Sequence, residues 1–220
     1  MIMADEGTAY LGTCKSFRLP DIMDFFHERW PGELVWPPGT GLARRGYLNL
    51  YGAALPPGTI LPLCLEELFL CGGSLPTGTR LPSCLEYLDI DGSTLPPDTV
   101  LPRGLVKVSL GNGILPLSVV LPATLAQLDI GDSHLPAGFV LPKWLRSLYI
   151  DSGTLPAGTV FPSGLTYLYL GGATLSAETV LPSGLSKIKL GPDGRLPEEV
   201  QIPEGCEVSS VAVSGPFTVR

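Results

Sequence analysis

A twenty-residue pattern repeats seven times in succession from Leu61 onward, without a single insertion or deletion. Each copy opens with a pattern close to LPxxLxxLxL, and the first six continue into a ten-residue return built around LPxxTV. The segment LPSCLEYLDI-DGSTLPPDTV is one complete copy. A fixed period of this length is typical of a solenoid, in which each unit packs only against its neighbours. The repeat therefore predicts one continuous stack of coils.

The first half of each copy has the pattern of a half-buried strand. Leu88 and Ile90 alternate with Tyr87 and Asp89, which is a period of two. Because every coil returns to the same place, these strands are expected to stack in parallel, about 4.8 Å apart. Proline at the second residue of each copy, and again six residues earlier in most of them, excludes helix from the returns.

We therefore predict an all-β-rich solenoid, a leucine-rich-repeat-like parallel β stack of seven 20-residue coils with non-helical returns. A straighter parallel β-helix is the alternative. Two leucine columns, Leu65 to Leu185 and Leu55 to Leu175, are expected to form the inner spine. Arg80 stands in a column that otherwise holds isoleucine or valine, so either that column is partly exposed or Arg80 turns outward.

The ends of the array depart from the repeat, as capping units do. Residues 1–40 are predicted to form an amino-terminal cap with a short helix at about residues 20–30. Residues 41–194 are assigned to the solenoid, and residues 195–220 to a degenerate last coil and cap.

The LPxxLxxLxL run resembles a leucine-rich repeat, and in particular the short LPX-type repeats of bacterial effectors. It is also similar to FNIP-type repeats, through phrases such as Gly-x-Val-Leu-Pro-x-x-Leu-x-x-Leu-x-Leu. The resemblance covers roughly residues 36–213 and implies a protein-binding surface rather than an activity. The family's asparagine position holds Gly, Ser or Ala throughout, so an asparagine ladder is not expected.

Composition limits the chemistry. The net charge of −7 disfavours direct binding to nucleic acid, and no apolar run is long enough to cross a membrane. Five cysteines without a CxxC pair favour reduced thiols and a cytoplasmic protein, of the producing cell or of a host cell if the chain is an effector. A disulfide between Cys64 and Cys84, which share a column, is the alternative.

Catalytic groups are scarce in the sequence. The two histidines, His27 and His134, lie far apart, and neither accompanies a candidate nucleophile. We predict no enzyme activity, no cofactor and no metal. Aspartates near strand ends (Asp89, Asp91, Asp129, Asp132 and Asp151) offer a calcium alternative, and a threonine column from Thr59 to Thr179 offers an ice-binding one.

The outward strand face is the candidate site. Aromatic and charged residues interleave there, as they do at protein interfaces. The predicted partner-binding residues are Tyr47, Tyr51, Glu67, Phe69, Tyr87, Asp89, Asp129, Tyr149, Tyr167 and Tyr169. The hypothesis is a monomeric, non-catalytic module, a bacterial or phage effector or inhibitor, that binds a protein with a basic patch. An acidic mimic of DNA is the second hypothesis.

Overall fold

A computed structural model gives the fold. It describes residues 3–5, 8–10, 17–18, 46–50, 52–55, 57–61, 63, 65–135, 139–155 and 158–210. Outside these residues lie the predicted helix at about residues 20–30, His27, Tyr51, Cys64 and the side chain of Tyr47. The described part of the chain is built from strands and turns, and it contains no helix able to span a bilayer.

Twelve strands are described, and they fall into two compact units, residues 1–125 and 126–220. The first unit holds β1 (Met3–Asp5), β2 (Thr8–Tyr10), β3 (Phe17–Arg18), β4 (Gly46–Asn49), β5 (Leu65–Phe69), β6 (Tyr87–Asp89) and β7 (Lys107–Ser109). The second unit holds β8 (Gln127–Asp129), β9 (Ser147–Ile150), β10 (Tyr167–Leu170), β11 (Lys187–Leu190) and β12 (Glu207–Ser210).

In the first unit, β3 to β7 pair in chain order and in parallel, while β1 and β2 form a separate antiparallel pair. The register follows the repeat, since Glu67 lies opposite Tyr87 and Tyr87 lies opposite Lys107. The register shifts once, between Gly46 and Tyr47, where β4 meets the first regular coil. Each step of twenty residues therefore advances the chain by one strand.

In the second unit, β8 to β12 pair in the same way, parallel and without a shift. Tyr167 lies opposite Ser147 on one side and Lys187 on the other. The last strand continues the register, with Glu207 opposite Lys187. Each unit is thus a parallel β-solenoid, which confirms the predicted fold class.

The core is a set of leucine columns, as the repeat predicts. Leu85, Leu88 and Ile90 are fully buried, and so are their equivalents in most coils. Two leucines are exceptions. Leu155, in the column from Leu55 to Leu175, is only half-buried, and so is Leu190 on β11. Burial of one such side chain contributes about 1.5–3 kcal/mol, so the columns hold each stack together.

Each return is folded by short turns instead of a helix. The N–H of Thr99 donates to the carbonyl of Pro96 at 3.0 Å, and the N–H of Leu105 donates to the carbonyl of Pro102 at 3.1 Å. Other coils repeat both bonds. Gly78 has a φ of 80°, which a left-handed turn position requires. Proline therefore opens most of these turns, with Ser176 in its place in one coil, and the return stays extended between turns.

Candidate functional site

Two rows of side chains project from the strands of each unit. They are half-buried apart from the exposed Glu207, and they alternate with buried residues on every strand except β12, where Val208 is exposed. In the first unit the rows are Glu67, Tyr87 and Lys107, and Phe69, Asp89 and Ser109. In the second they are Gln127, Ser147, Tyr167, Lys187 and Glu207, and Asp129, Tyr149, Tyr169, Lys189 and Ser209. We call these rows the strand face of each unit.

The strand face of the first unit centres on an aromatic pair. The rings of Phe69 and Tyr87 meet nearly edge to face, with centroids 5.1 Å apart and planes at 80°. Lys107 Nζ lies 4.4 Å from the centre of the Tyr87 ring, on the strand beyond. The Tyr87 hydroxyl donates to Asp89 Oδ2 at 3.2 Å. Packing, cation–π contact and hydrogen bond together hold Tyr87 in one orientation.

The strand face of the second unit carries three tyrosines. The Tyr149 ring centroid lies 5.2 Å from that of Tyr167 and 6.2 Å from that of Tyr169. Lys189 Nζ lies 5.9 Å from the Tyr169 ring, and Lys187 Nζ lies 3.1 Å from Glu207 Oε1. Burial, reinforced by Tyr149, raises the pKa of the Tyr167 phenol, while Lys187 opposes the rise. Tyr167 therefore remains a hydroxyl donor at neutral pH.

Aspartates at the strand ends tie the corners of the coils. Asp89 Oδ1 accepts the N–H of Asp91 at 2.9 Å, and Asp129 Oδ1 accepts the N–H of Gly131 at 3.0 Å. Other carboxylates bond to the next coil, since Asp91 Oδ1 accepts the N–H of Asn112 at 2.8 Å. Asp132 Oδ1 likewise accepts the N–H of Ser152 at 3.0 Å. In these coils aspartates satisfy corner N–H groups where an asparagine ladder is missing.

The structure brings the predicted site residues together in two groups. Glu67, Phe69, Tyr87 and Asp89 share the strand face of the first unit, and Asp129, Tyr149, Tyr167 and Tyr169 share that of the second. Asp89 and Asp129 also bond to the corner backbone, a structural role that the sequence did not indicate. Tyr47 lies on β4, opposite Glu67. The assignment of these residues to partner binding stays a prediction.

A second exposed surface is the column of Arg80, for which partial exposure was one of the two alternatives that the sequence left open. The valine column lies on the outside of the returns, where Val100 is 80% exposed and Val160 is 82% exposed. Arg80, in the same column, is exposed as well. The charged residue was the signal that the column faces water. In contrast, Thr59 and Thr99 are buried and the described threonines beside them half-buried, so the threonine column is not an exposed ice-binding ladder.

The described side chains offer binding contacts and little reactive chemistry. Burial raises the pKa of the Cys71, Cys84 and Cys206 thiols, which are unpaired, so they stay protonated at neutral pH. His134 Nδ1 is hydrogen-bonded to Thr154 Oγ1 at 2.9 Å. Within the described ranges, no group of three or more His, Cys, Asp or Glu residues is placed to hold a metal ion. The calcium alternative gains no support there.

The chain is similar to solved structures with leucine-rich-repeat-like folds. The chain is similar to YopM from Yersinia enterocolitica WA-314, with a TM-score of 0.51 and 22% identity over 80% of this chain and 43% of YopM. The fold is leucine-rich-repeat-like. The circular leucine-rich-repeat protein CroV588 matches with a TM-score of 0.48 and 22% identity, over 74% of this chain and 26% of its own. The chain thus spans less than half the length of either structure.

Comparisons of sequence add no relative. No protein-family profile matches the chain, and no curated protein matches it. The likeness in structure confirms, at the level of the fold, the resemblance to leucine-rich repeats that the sequence predicts.

Proposed function

We propose that this chain is a non-catalytic protein-binding repeat module that covers part of a partner's surface with its strand face. The observation that supports this best is the packed Phe69–Tyr87 pair, whose rings lie half-buried on a sheet in strict register. Aromatic side chains held in one rotamer lose little conformational entropy on binding, and they are enriched among the residues that dominate interface energetics. A rigid sheet presents them without further ordering.

Charge around the first aromatic pair supports a partner with a basic patch. Glu66, Glu67, Glu86 and Asp89 lie on or beside β5 and β6. Lys107 contributes one positive charge on the next strand. An acidic surface with an aromatic centre fits a partner with a basic patch, since opposite potentials speed association and reject acidic competitors. We propose such a patch as the target of the first unit.

An acidic mimic of DNA is the alternative function. Its support is the same group of carboxylates together with the net charge of −7. The described carboxylates on the strand face alternate with aromatic and lysine side chains, whereas a mimic of phosphates needs evenly spaced negative charge. This contrast favours the protein-binding proposal. Inhibition of a nucleic-acid-binding protein that disappears steeply with added salt would favour the mimic instead.

The biological setting is a further part of the proposal, and it rests on the resemblance of the repeat to the LPX-type repeats of bacterial effectors. The structural neighbour YopM comes from Yersinia enterocolitica WA-314. We propose that this chain acts as a bacterial or phage effector or inhibitor, as a monomer in the cytoplasm of the producing cell or of a host. Occupying a partner's surface would be sufficient for such a role, without turnover.

The test compares two faces of the same coils. The Phe69→Ala/Tyr87→Ala variant removes the aromatic pair, and Val100→Ser/Val120→Ser removes two exposed side chains from the returns. Partners captured by the wild-type chain are identified by mass spectrometry, and the affinity of the purified partner is measured for each variant. We expect the first variant to lose capture and the second to retain it. Retained capture by a folded first variant would refute the proposal.

A further inference from the structure

The strand face of the second unit differs from that of the first in the sign of its charge. Across β9, β10 and β11, one row reads Ser147, Tyr167, Lys187 and the other reads Tyr149, Tyr169, Lys189. Arg146, which is exposed, precedes the first row on β9. These three strands present no carboxylate in either row. The surface is therefore cationic and aromatic, although the whole chain has a net charge of −7.

Hydrogen-bonding groups on this surface are mostly donors. Lysine ammonium groups only donate, and the hydroxyls of Tyr149, Tyr167 and Tyr169 can donate as well. A partner that satisfies such a surface must supply acceptors, and a negatively charged acceptor makes the stronger hydrogen bond.

Glu207 is a carboxylate of the chain itself that already pairs with this surface. Its Oε1 lies 3.1 Å from Lys187 Nζ, one strand beyond β11. The side chain of Glu207 is 64% exposed and that of Lys187 is 41% exposed, so solvent screens the pair. Exposed pairs of this kind contribute little to stability, so a partner's carboxylate can replace Glu207 at small cost. The chain itself thus supplies one carboxylate at the edge of the cluster.

We propose that the tyrosine–lysine cluster of β9 to β11 binds an acidic peptide segment of the partner protein. Carboxylate side chains of the segment would pair with Lys187 and Lys189, while its apolar atoms would pack on Tyr149 and Tyr169. Asp129, which lies opposite Tyr149 on β8, marks the boundary of the cluster. This inference rests on the proposed function, and it adds an acidic segment to a partner that offers a basic patch to the first unit.

The test uses a labelled oligo-glutamate peptide as the probe, with oligo-lysine of equal length for comparison. Binding to the full chain is followed by fluorescence polarisation at physiological salt, where the Debye length of about 8 Å confines the effect of distant charges. Lys187→Gln and Lys189→Gln should each weaken oligo-glutamate binding about two- to fivefold. Glu207→Gln should strengthen it about twofold, because the competing carboxylate is removed.

The matched control is Lys143→Gln. Lys143 is also exposed and also lies over an aromatic ring, at 5.4 Å from Trp144, but it belongs to a return instead of the strand face. The Lys143→Gln variant removes the same charge and should leave the affinity for oligo-glutamate unchanged. Circular dichroism verifies that each variant is folded.

Several results would overturn the inference. They are no binding of oligo-glutamate, equal loss in Lys143→Gln and Lys187→Gln, or weaker binding in Glu207→Gln. Loss of partner capture in Phe69→Ala/Tyr87→Ala would still support the proposed function in any of these cases. The two proposals can therefore fail separately.

Discussion

Phe69 and Tyr87 lie on the adjacent parallel strands β5 and β6, and their rings meet nearly edge to face with centroids 5.1 Å apart. They are not direct partners in the register, because Phe69 is opposite Asp89 and Tyr87 is opposite Glu67. The contact is therefore diagonal across two coils. It links the two rows of the strand face of the first unit.

This diagonal contact should be measurable as a coupling. Aromatic pairs contribute about 0.5–1.5 kcal/mol beyond the area that they bury, so Phe69→Ala and Tyr87→Ala should be non-additive by that amount. Urea unfolding of the two single variants, the double variant and the wild type gives the coupling free energy. Additive losses would mean that the rings do not interact in solution.

The core and the valine column should respond very differently to substitution. Leu88 is fully buried, and Leu88→Ala should lower the free energy of unfolding by about 2–5 kcal/mol. Val100, in the same coil, is 80% exposed, and Val100→Thr should change it by less than about 0.5 kcal/mol. Urea unfolding measures both. A large loss from Val100→Thr would place that side chain in the core and overturn the arrangement of the returns.

The sequence predicted some features of the fold and of the strand face, and it left others open. Strand positions, parallel stacking and the leucine spine were predictable, because a twenty-residue period forces equivalent residues into columns. The direction of the valine column was not fixed by the pattern, because an extended return between turns has no regular alternation of sides. Arg80 left an exposed column as one of two alternatives. The corner bonds of Asp91 and Asp132 were not predictable either, since they depend on how closely neighbouring coils approach.

Cysteine reactivity tests the local environment of the thiols. Burial raises the pKa of Cys71, Cys84 and Cys206 above the ordinary thiol value of about 8.5. The thiolate is the reactive form, so alkylation by iodoacetamide should be slower than that of free cysteine at neutral pH and should accelerate only at more alkaline pH. Mass spectrometry of quenched samples gives the rate at each site. Rapid labelling of Cys84 at neutral pH would show that its thiol is not shielded.

Tyr167 links pH to stability. Its pKa is raised in the folded state, chiefly by burial, so the protonated phenol favours folding. That contribution is fully present below the ordinary tyrosine pKa of about 10, and it is lost as the pH rises through the folded-state value. Wild-type stability should therefore fall more steeply than that of Tyr167→Phe in this alkaline range. Urea unfolding at a series of pH values gives the slope of stability against pH for each protein. The two slopes should differ in the alkaline range and agree at neutral pH, and identical slopes in the alkaline range would contradict the assignment.

Site-specific photo-crosslinking at Tyr87 and at Val100 tests the central claim most directly. The two positions belong to one coil, but Tyr87 projects from the strand face and Val100 from the return. A photoreactive amino acid is placed at each position in turn, and the purified partner is added at a saturating concentration. We predict a covalent adduct with the partner from position 87 and none from position 100. An adduct from position 100 alone would show that the partner binds the returns and not the strand face.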